Sequence, residues 1–158
     1  MQSRPRFDYK LIAPCGMNCG VCKAHLRKNN PCHGCNYAEL NRPKTRAYCK
    51  LRLCSKRSGK FCYSCAEFPC NRLTSLDERY QKHYDMSEIE NLKYIKDNGI
   101  KKFLEKERIR WISDKGILCV HDKKYYDERT PPKANAISRQ CRTGYYLLRL
   151  VFLFLCLR

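Results

Sequence analysis

Cysteine is the residue type in this chain best placed to do chemistry. Ten of the thirteen cysteines fall in one stretch: Cys15, Cys19, Cys22, Cys32, Cys35, Cys49, Cys54, Cys62, Cys65 and Cys70. Three Cys-x-x-Cys pairs stand among them, Cys19/Cys22, Cys32/Cys35 and Cys62/Cys65. At this spacing a tight turn can aim two thiolates at one ion. The opening residues MQSRPRFDYK hold no apolar signal-peptide core, so a cytoplasmic setting is expected. In reducing surroundings such pairs read as metal sites rather than disulfides. All ten cysteines are therefore the expected metal ligands.

Zinc in closed structural sites takes about four thiolate or imidazole ligands. Ten cysteines would serve about two Zn²⁺ ions with two thiols to spare. His25 and His33 lie in the same stretch and are read as bystanders. The alternative cofactor is an iron–sulfur cluster, which thiolates also hold. Cys15-x3-Cys19-x2-Cys22 matches the trio of radical S-adenosylmethionine enzymes. Barrels of that size run to about 250 residues, and this chain of 158 has no alternating strand–helix rhythm. An iron–sulfur or redox protein stays as a rival function without that enzyme's scaffold.

The elements that must carry these thiols are poor in apolar material. From Cys15 to Cys70 the larger aliphatics are Met17, Val21, Leu26, Leu40, Leu51 and Leu53. A segment this thin needs a staple, and metal binding is then folding free energy. The formal charge is +18; two zinc ions on eight thiolates would lower it to about +14. So basic a chain favours polyanions. No acidic residue lies between Glu39 and Glu67, while Arg42, Lys44, Arg46, Lys50, Arg52, Lys56, Arg57 and Lys60 do. Tyr37, Tyr48, Phe61 and Tyr63 are interleaved with or flank them, and aromatic faces can stack unpaired bases. RNA or single-stranded DNA is one expected partner and a protein is another. The competing reading has these cations balancing thiolate charge.

Leu11-Ile12-Ala13 predicts a short strand before Pro14, and Val21 to Asn29 has helical composition. After Cys70 the pattern changes. Leu73, Leu76, Tyr80 and Tyr84 recur at three and four, which predicts a helix over 71–84. Ser87-Glu88-Ile89-Glu90 reads as a capping box opening a helix that stops at Asn98-Gly99, with a further helical piece from Ile100. Ile117–Val120 and Tyr125-Tyr126 predict a hairpin turning at Asp122-Lys123. Cys119 and His121 are read as strand residues rather than ligands. Residues 129–137 read as a linker. The apolar run Leu150–Leu157 is far short of the roughly 20 residues that cross a bilayer, so no membrane span is expected. The tail is a closing element, an interaction segment or the product of a shifted reading frame.

The runs IAPCGMNCGVC, CHGC, YCKLRLC and CYSCAEFPC resemble the domain of unknown function 3795 family, from about Leu11 to Asp127. All ten cysteines and Pro69 fall on that pattern. The resemblance implies a cysteine-rich metal-binding module and supplies no reaction. Some members add a C-terminal zinc ribbon after a Trp. Trp111, Gly116 and His121 match it, but the first knuckle here is ISDKG and the second cysteine pair is missing.

The expected fold is therefore a small α plus irregular domain stapled by metal. A cysteine-knuckle module (1–70) is followed by a helical region of two or three helices with a short, degenerate ribbon-like hairpin (71–128), then a linker and apolar tail (129–158). No Ser/His/Asp order, phosphate loop or close carboxylate pair stands out. The expected function is a zinc-binding structural or binding module, with a nucleic-acid-binding zinc protein as its rival.

Overall fold

The computed structural model describes residues 7–37 and 43–127. Arg42, the 129–137 linker and the apolar tail lie outside the described residues. Four helices and one small sheet are described: α1 (Lys23–Leu26), α2 (Lys44–Ala47), α3 (Asn71–Tyr84), α4 (Glu88–Trp111), and β1 (Ile112–Ser113), β2 (Gly116–Leu118) and β3 (Tyr125–Tyr126). Single 3-10 turns cover Tyr9–Leu11, Cys19–Val21 and Cys62–Ser64.

α3 occupies the predicted span, and its stripe Leu73, Leu76 and Tyr80 is buried. It stops at Asp85, whose left-handed backbone (φ 52°, ψ 46°) turns the chain back. Asp77, buried on the same face, prepares the next helix. Its Oδ1 accepts from the Ser87 hydroxyl at 2.8 Å and the Ile89 amide at 2.9 Å. Ser87 Oγ in turn accepts from the Glu90 amide at 3.0 Å. Ser87 thus caps α4 as its sequence predicts, and Asp77 holds the capping hydroxyl from across the helix pair.

α4 is long because two helical pieces run on across Gly99. Its backbone there (φ 82°, ψ 163°) is non-helical and belongs to glycine almost alone. The predicted stop at Asn98-Gly99 is thus a kink, after which the helix resumes. Leu92 and Ile95 before it, and Phe103 and Trp111 after it, face the core. α4 packs on α3 and on the Tyr9–Leu11 and Cys62–Ser64 turns. The buried cluster joins Phe7, Ile12 and Val21 of the cysteine segment to Leu73, Leu92, Phe103 and Val120. The helices are the lid of the cysteine segment's core.

The hairpin pairs Ile117 with Tyr126 and Leu118 with Tyr125, and Lys123 takes a left-handed turn position. β1 adds a third antiparallel strand through Ile112 and Ser113. Two expectations contract. The Leu11–Ala13 strand is a lone bridge from Ile12 to Asn18. The 21–29 helix is the one turn of α1, because Arg27 is already extended and its Nε donates to the Asn30 carbonyl at 2.8 Å. α2, a single turn among basic residues, has no periodicity to announce it.

Glu88 heads α4 with its side chain fully buried. Among the described residues neither carboxylate oxygen has a hydrogen-bond partner. Burial pushes its carboxyl up to about 8 from an ordinary 4.5, with Asp77 adding to the rise and Arg46 and Arg79 opposing it. The folded chain thus holds this proton more tightly than the unfolded chain. Stability from the group is full below pH 4.5 and is lost as pH rises through 8. Glu88→Gln should flatten that loss, by on the order of a few kcal/mol between pH 5 and 9. Urea midpoints across that range measure it, and parallel curves for the two proteins would refute it.

Gly99 and Gly16 separate strain from collision. A Cβ at Gly99 meets nothing within 4 Å, so Gly99→Ala should cost only the backbone term, about 1–3 kcal/mol. At Gly16 (φ 90°) a Cβ would stand 2.6 Å from the Glu88 carbonyl and 2.9 Å from Leu92. Gly16→Ala should therefore destabilise by more than Gly99→Ala. Equal denaturation midpoints for the two variants would contradict this order.

Candidate functional site: a thiol-lined cavity

The first knuckle is built by a turn and clamped by α4. Cys19–Val21 is a 3-10 turn in which the Cys22 amide donates to the Cys19 carbonyl at 3.1 Å. Asn18 caps it, Oδ1 accepting from the Gly20 amide at 2.9 Å. The same side chain, fully buried, donates through Nδ2 to Glu107 Oε2 at 3.0 Å. Burial pushes the Glu107 carboxyl up, against the pull of Asn18. A second clamp runs from Asn91 Nδ2 to the Gly16 carbonyl at 3.2 Å. The hairpin supplies a third tie, from the Val120 amide to the Val21 carbonyl at 3.0 Å.

The second knuckle, Cys32–Cys35, is tied back by the Cys32 amide to the Ala24 carbonyl at 2.8 Å. Asn36 Nδ2 bonds the Ile12 carbonyl at 2.7 Å and the Lys10 carbonyl at 2.8 Å. His25 Nδ1 lies 2.6 Å from the Cys32 carbonyl. A carbonyl only accepts, so the ring proton is on Nδ1 and Nε2 is the basic nitrogen. Burial lowers the His25 pKa and keeps the ring neutral.

These ties bring six of the ten predicted ligands to one place. Cys15, Cys19, Cys22, Cys32, Cys35 and Cys49 line a cavity of about 30 Å³, together with His25, Arg46 and Arg52. That volume suits a water-sized body. Cys35 hydrogen-bonds Cys19, and this contact with burial pushes the Cys19 thiol well up. Burial first, then Cys35, does the same to Cys15. Burial also raises Cys22, with Cys32 adding to the rise. None of the eleven described cysteines forms a disulfide. Among the described residues no three Cys, His, Asp or Glu side chains stand together as a ready metal-holding group. The donors converge on the cavity without closing around a point.

Cys54, Cys62, Cys65 and Cys70 are not on the cavity wall. Cys62–Ser64 repeats the turn of the first knuckle, the Cys65 amide donating to the Cys62 carbonyl at 3.1 Å. Cys119 is buried in the hairpin, where burial pushes its thiol up to about 11. Its neighbour His121 accepts at Nδ1 from the Lys23 amide at 3.4 Å, so Nε2 carries the proton and donates to the Tyr80 oxygen at 3.2 Å.

The basic stretch divides by side-chain type. Arg46 Nη2 donates to Tyr80 Oη at 2.9 Å, and the guanidinium lies in the field of Cys22 and Cys35. Arg52 donates to the Arg46 and Ala47 carbonyls at 3.2 and 2.7 Å. Arg57 donates to the Gly59, Leu51 and Arg52 carbonyls at 2.9, 3.0 and 3.5 Å. These three arginines are half-buried, Arg46 tied to α3 and the other two to their own loop, whereas Lys44, Lys50, Lys56 and Lys60 are exposed. Lys56 pairs with Glu67 at 2.6 Å. Lys60 donates to the Tyr9 carbonyl at 3.0 Å and lies over the Tyr9 ring.

Sequence reasoning missed the roles of Glu88, Glu107 and Tyr80. Spacing carried a signal for two of them: Glu107 stands four residues after Phe103 and four before Trp111, and Glu88 four before Leu92. Both carboxylates therefore lie on the apolar stripe of α4.

No helix among the described residues is long and apolar enough to cross a membrane. No curated protein and no solved structure matches the chain. One family model does match, over a span that begins at Leu11, covers all ten clustered cysteines and ends within α3. That model, described as Protein of unknown function (DUF3795), matches residues 11–75 of the chain.

Proposed function

We propose that the chain is a zinc-binding structural module whose cysteine turns are completed by metal, with about two ions per chain. The observation that carries this reading is the approach of two Cys-x-x-Cys knuckles across one cavity. Cys19 hydrogen-bonds Cys35, Cys22 lies in the field of Cys32, and all four line the same cavity. Four thiols from two knuckles are the donor set a tetrahedral, borderline-soft ion prefers. Arg46 and Arg52 on the wall would offset the excess negative charge of four thiolates. Cys15 and Cys49 are then the thiols to spare. Coordination needs thiolates, and the Cys35 contact with burial raises the Cys19 thiol while burial raises Cys22, so zinc uptake releases protons and weakens as pH falls.

Elemental analysis of anaerobically purified protein should find about two zinc ions per chain, and complete chelation should collapse the helical circular dichroism. An unchanged spectrum after full metal removal refutes the reading. A brown protein absorbing near 400 nm would favour the iron–sulfur alternative instead.

A second reading, weak binding of single-stranded nucleic acid, is favoured by Tyr48. This ring is 79 % exposed and stands between exposed Lys44 and Lys50. Of the arginines first assigned to this role, Arg52 and Arg57 hold loop carbonyls and Arg46 holds the Tyr80 hydroxyl, so the reading shrinks to these residues. Tyr48→Ala should weaken retention of single-stranded RNA at low salt by roughly five- to a hundredfold, as loss of about 1–3 kcal/mol implies. Lys44→Glu with Lys50→Glu should flatten its salt dependence. Wild-type protein that does not bind RNA at 50 mM salt, or binding unchanged in these variants, ends this second reading.

A further inference from the structure

The turn between β2 and β3 lies against the first cysteine knuckle and grips it on both sides of Cys22. The Val120 amide donates to the Val21 carbonyl at 3.0 Å, and the Lys23 amide donates to His121 Nδ1 at 3.4 Å. The Lys23 ammonium adds an ion pair to Asp122 Oδ2 at 3.3 Å. Cys22 between these ties is extended (φ −81°, ψ 132°) and opens α1. The turn is held in shape by its own bonds. The Cys119 amide donates to the Lys124 carbonyl at 2.8 Å, the Lys123 amide to the Cys119 carbonyl at 3.1 Å, and the Tyr126 hydroxyl to Asp122 at 2.9 Å.

His121 also reaches the cavity wall. Its Nε2 stands 3.2 Å from Tyr80 Oη, the oxygen that accepts from Arg46, and Arg46 lines the thiol cavity. One imidazole thus joins the hairpin to α1, α3 and α2. A ring whose Nδ1 accepts from an amide is neutral. A second proton would go to Nδ1 and point at the Lys23 N–H. The groups facing the ring come from every element around it. Lys23 stands on α1, Arg46 on α2, Tyr80 and Tyr84 on α3, and Asp122 and Lys123 in the turn. Three cations against one carboxylate oppose that proton, yet the ring is half-buried and open to it from solvent.

We propose that His121 is an acid-released latch: neutral, it holds the hairpin on the backbone around Cys22, and protonated, it lets that backbone go. The latch rests on no bound ion. Burial first, then Arg46, Lys23 and Lys123, holds the imidazole below its ordinary 6.5, against the pull of Asp122. The folded chain therefore takes this proton less readily than the unfolded chain. Stability from the latch is full above pH 6.5 and is lost as pH falls through the folded value. This slope runs opposite to that of Glu88, whose contribution is lost as pH rises.

The test uses the full-length purified chain as wild type, His121→Asn and His121→Ala. The asparagine oxygen takes the acceptor place of Nδ1 and cannot gain a charge, whereas alanine offers no acceptor. Nitrogen-15 NMR follows hydrogen exchange of the Lys23 amide, as a protection factor, at about pH 7.5 and about pH 5, the range in which histidine titrates. The ring nitrogen shifts of His121 report its charge in the same samples. The wild-type Lys23 amide should lose about tenfold in protection as the ring charges, on the order of one hydrogen bond. His121→Asn should keep its protection at both pH values, and His121→Ala should lack it at both. The inference is overturned if wild-type protection is the same at both pH values, or if the His121 ring stays neutral at the lower one. It is also overturned if His121→Ala matches wild type at the higher pH. Equal acid loss in His121→Asn and wild type would place the sensitivity in other groups, the thiols among them, and would likewise refute the latch.

Discussion

The fold depends on one buried amide. Asn18 caps the first cysteine turn with its oxygen and grips Glu107 of α4 with its nitrogen. These bonds join partners two and 89 positions away, so a local turn and the tertiary position of α4 are set by the same side chain. A hydrogen bond to a charged or strongly polar buried group contributes about 1.5–3 kcal/mol, and a broken one leaves a desolvated carboxyl behind. Removing Asn18 thus orphans both ends at once. The Asn91 bond to Gly16 and the Val120 bond to Val21 repeat the arrangement from two further directions. Helix and hairpin are in this sense the mould in which the thiol turn is held.

A mould of this kind answers a shortage of apolar surface. Of the few large aliphatics between Cys15 and Cys70, Met17, Val21 and Leu51 are buried, while Leu53 is 56 % exposed. The remaining interior volume is filled by thiols and by rings such as Phe61, which stacks on Tyr63. Net stabilities of domains are only about 5–15 kcal/mol. One structural zinc, at roughly 10–16 kcal/mol in small fingers, is of the same size as that whole margin. On the proposed reading, the metals decide whether the cysteine segment folds, and the arginines tune it. A guanidinium with a fixed fork can hold two carbonyls and face a thiol together, which a lysine cannot. That difference accounts for arginines turned inward and lysines left in water within one basic stretch.

Sequence periodicity made the C-terminal part of the fold legible. The spacing of Leu73, Leu76 and Tyr80, the Ser87 cap, the Gly99 break and the 117–126 hairpin all come from local rules, and each has its place in the structure. The cysteine segment was legible as donors but not as geometry. Its turns are fixed by partners far away in the chain, Glu107 for Asn18 and Asn91 for Gly16, and no local pattern encodes such a pairing. The basic stretch was legible as charge only. Whether a cation faces solvent or its own loop carbonyls depends on a backbone path without periodicity. The buried carboxylates of α4 were readable from the apolar stripe, had polar residues been counted along it.

The account's central claim is that thiolates from the cysteine turns surround zinc. Zinc K-edge X-ray absorption on protein purified without a metal-affinity step tests it most directly. The account predicts a first coordination sphere of about four sulfur scatterers near 2.3 Å, with no appreciable oxygen or nitrogen component. A sphere dominated by oxygen and nitrogen near 2.0–2.1 Å, or the absence of an edge in folded protein, would contradict it.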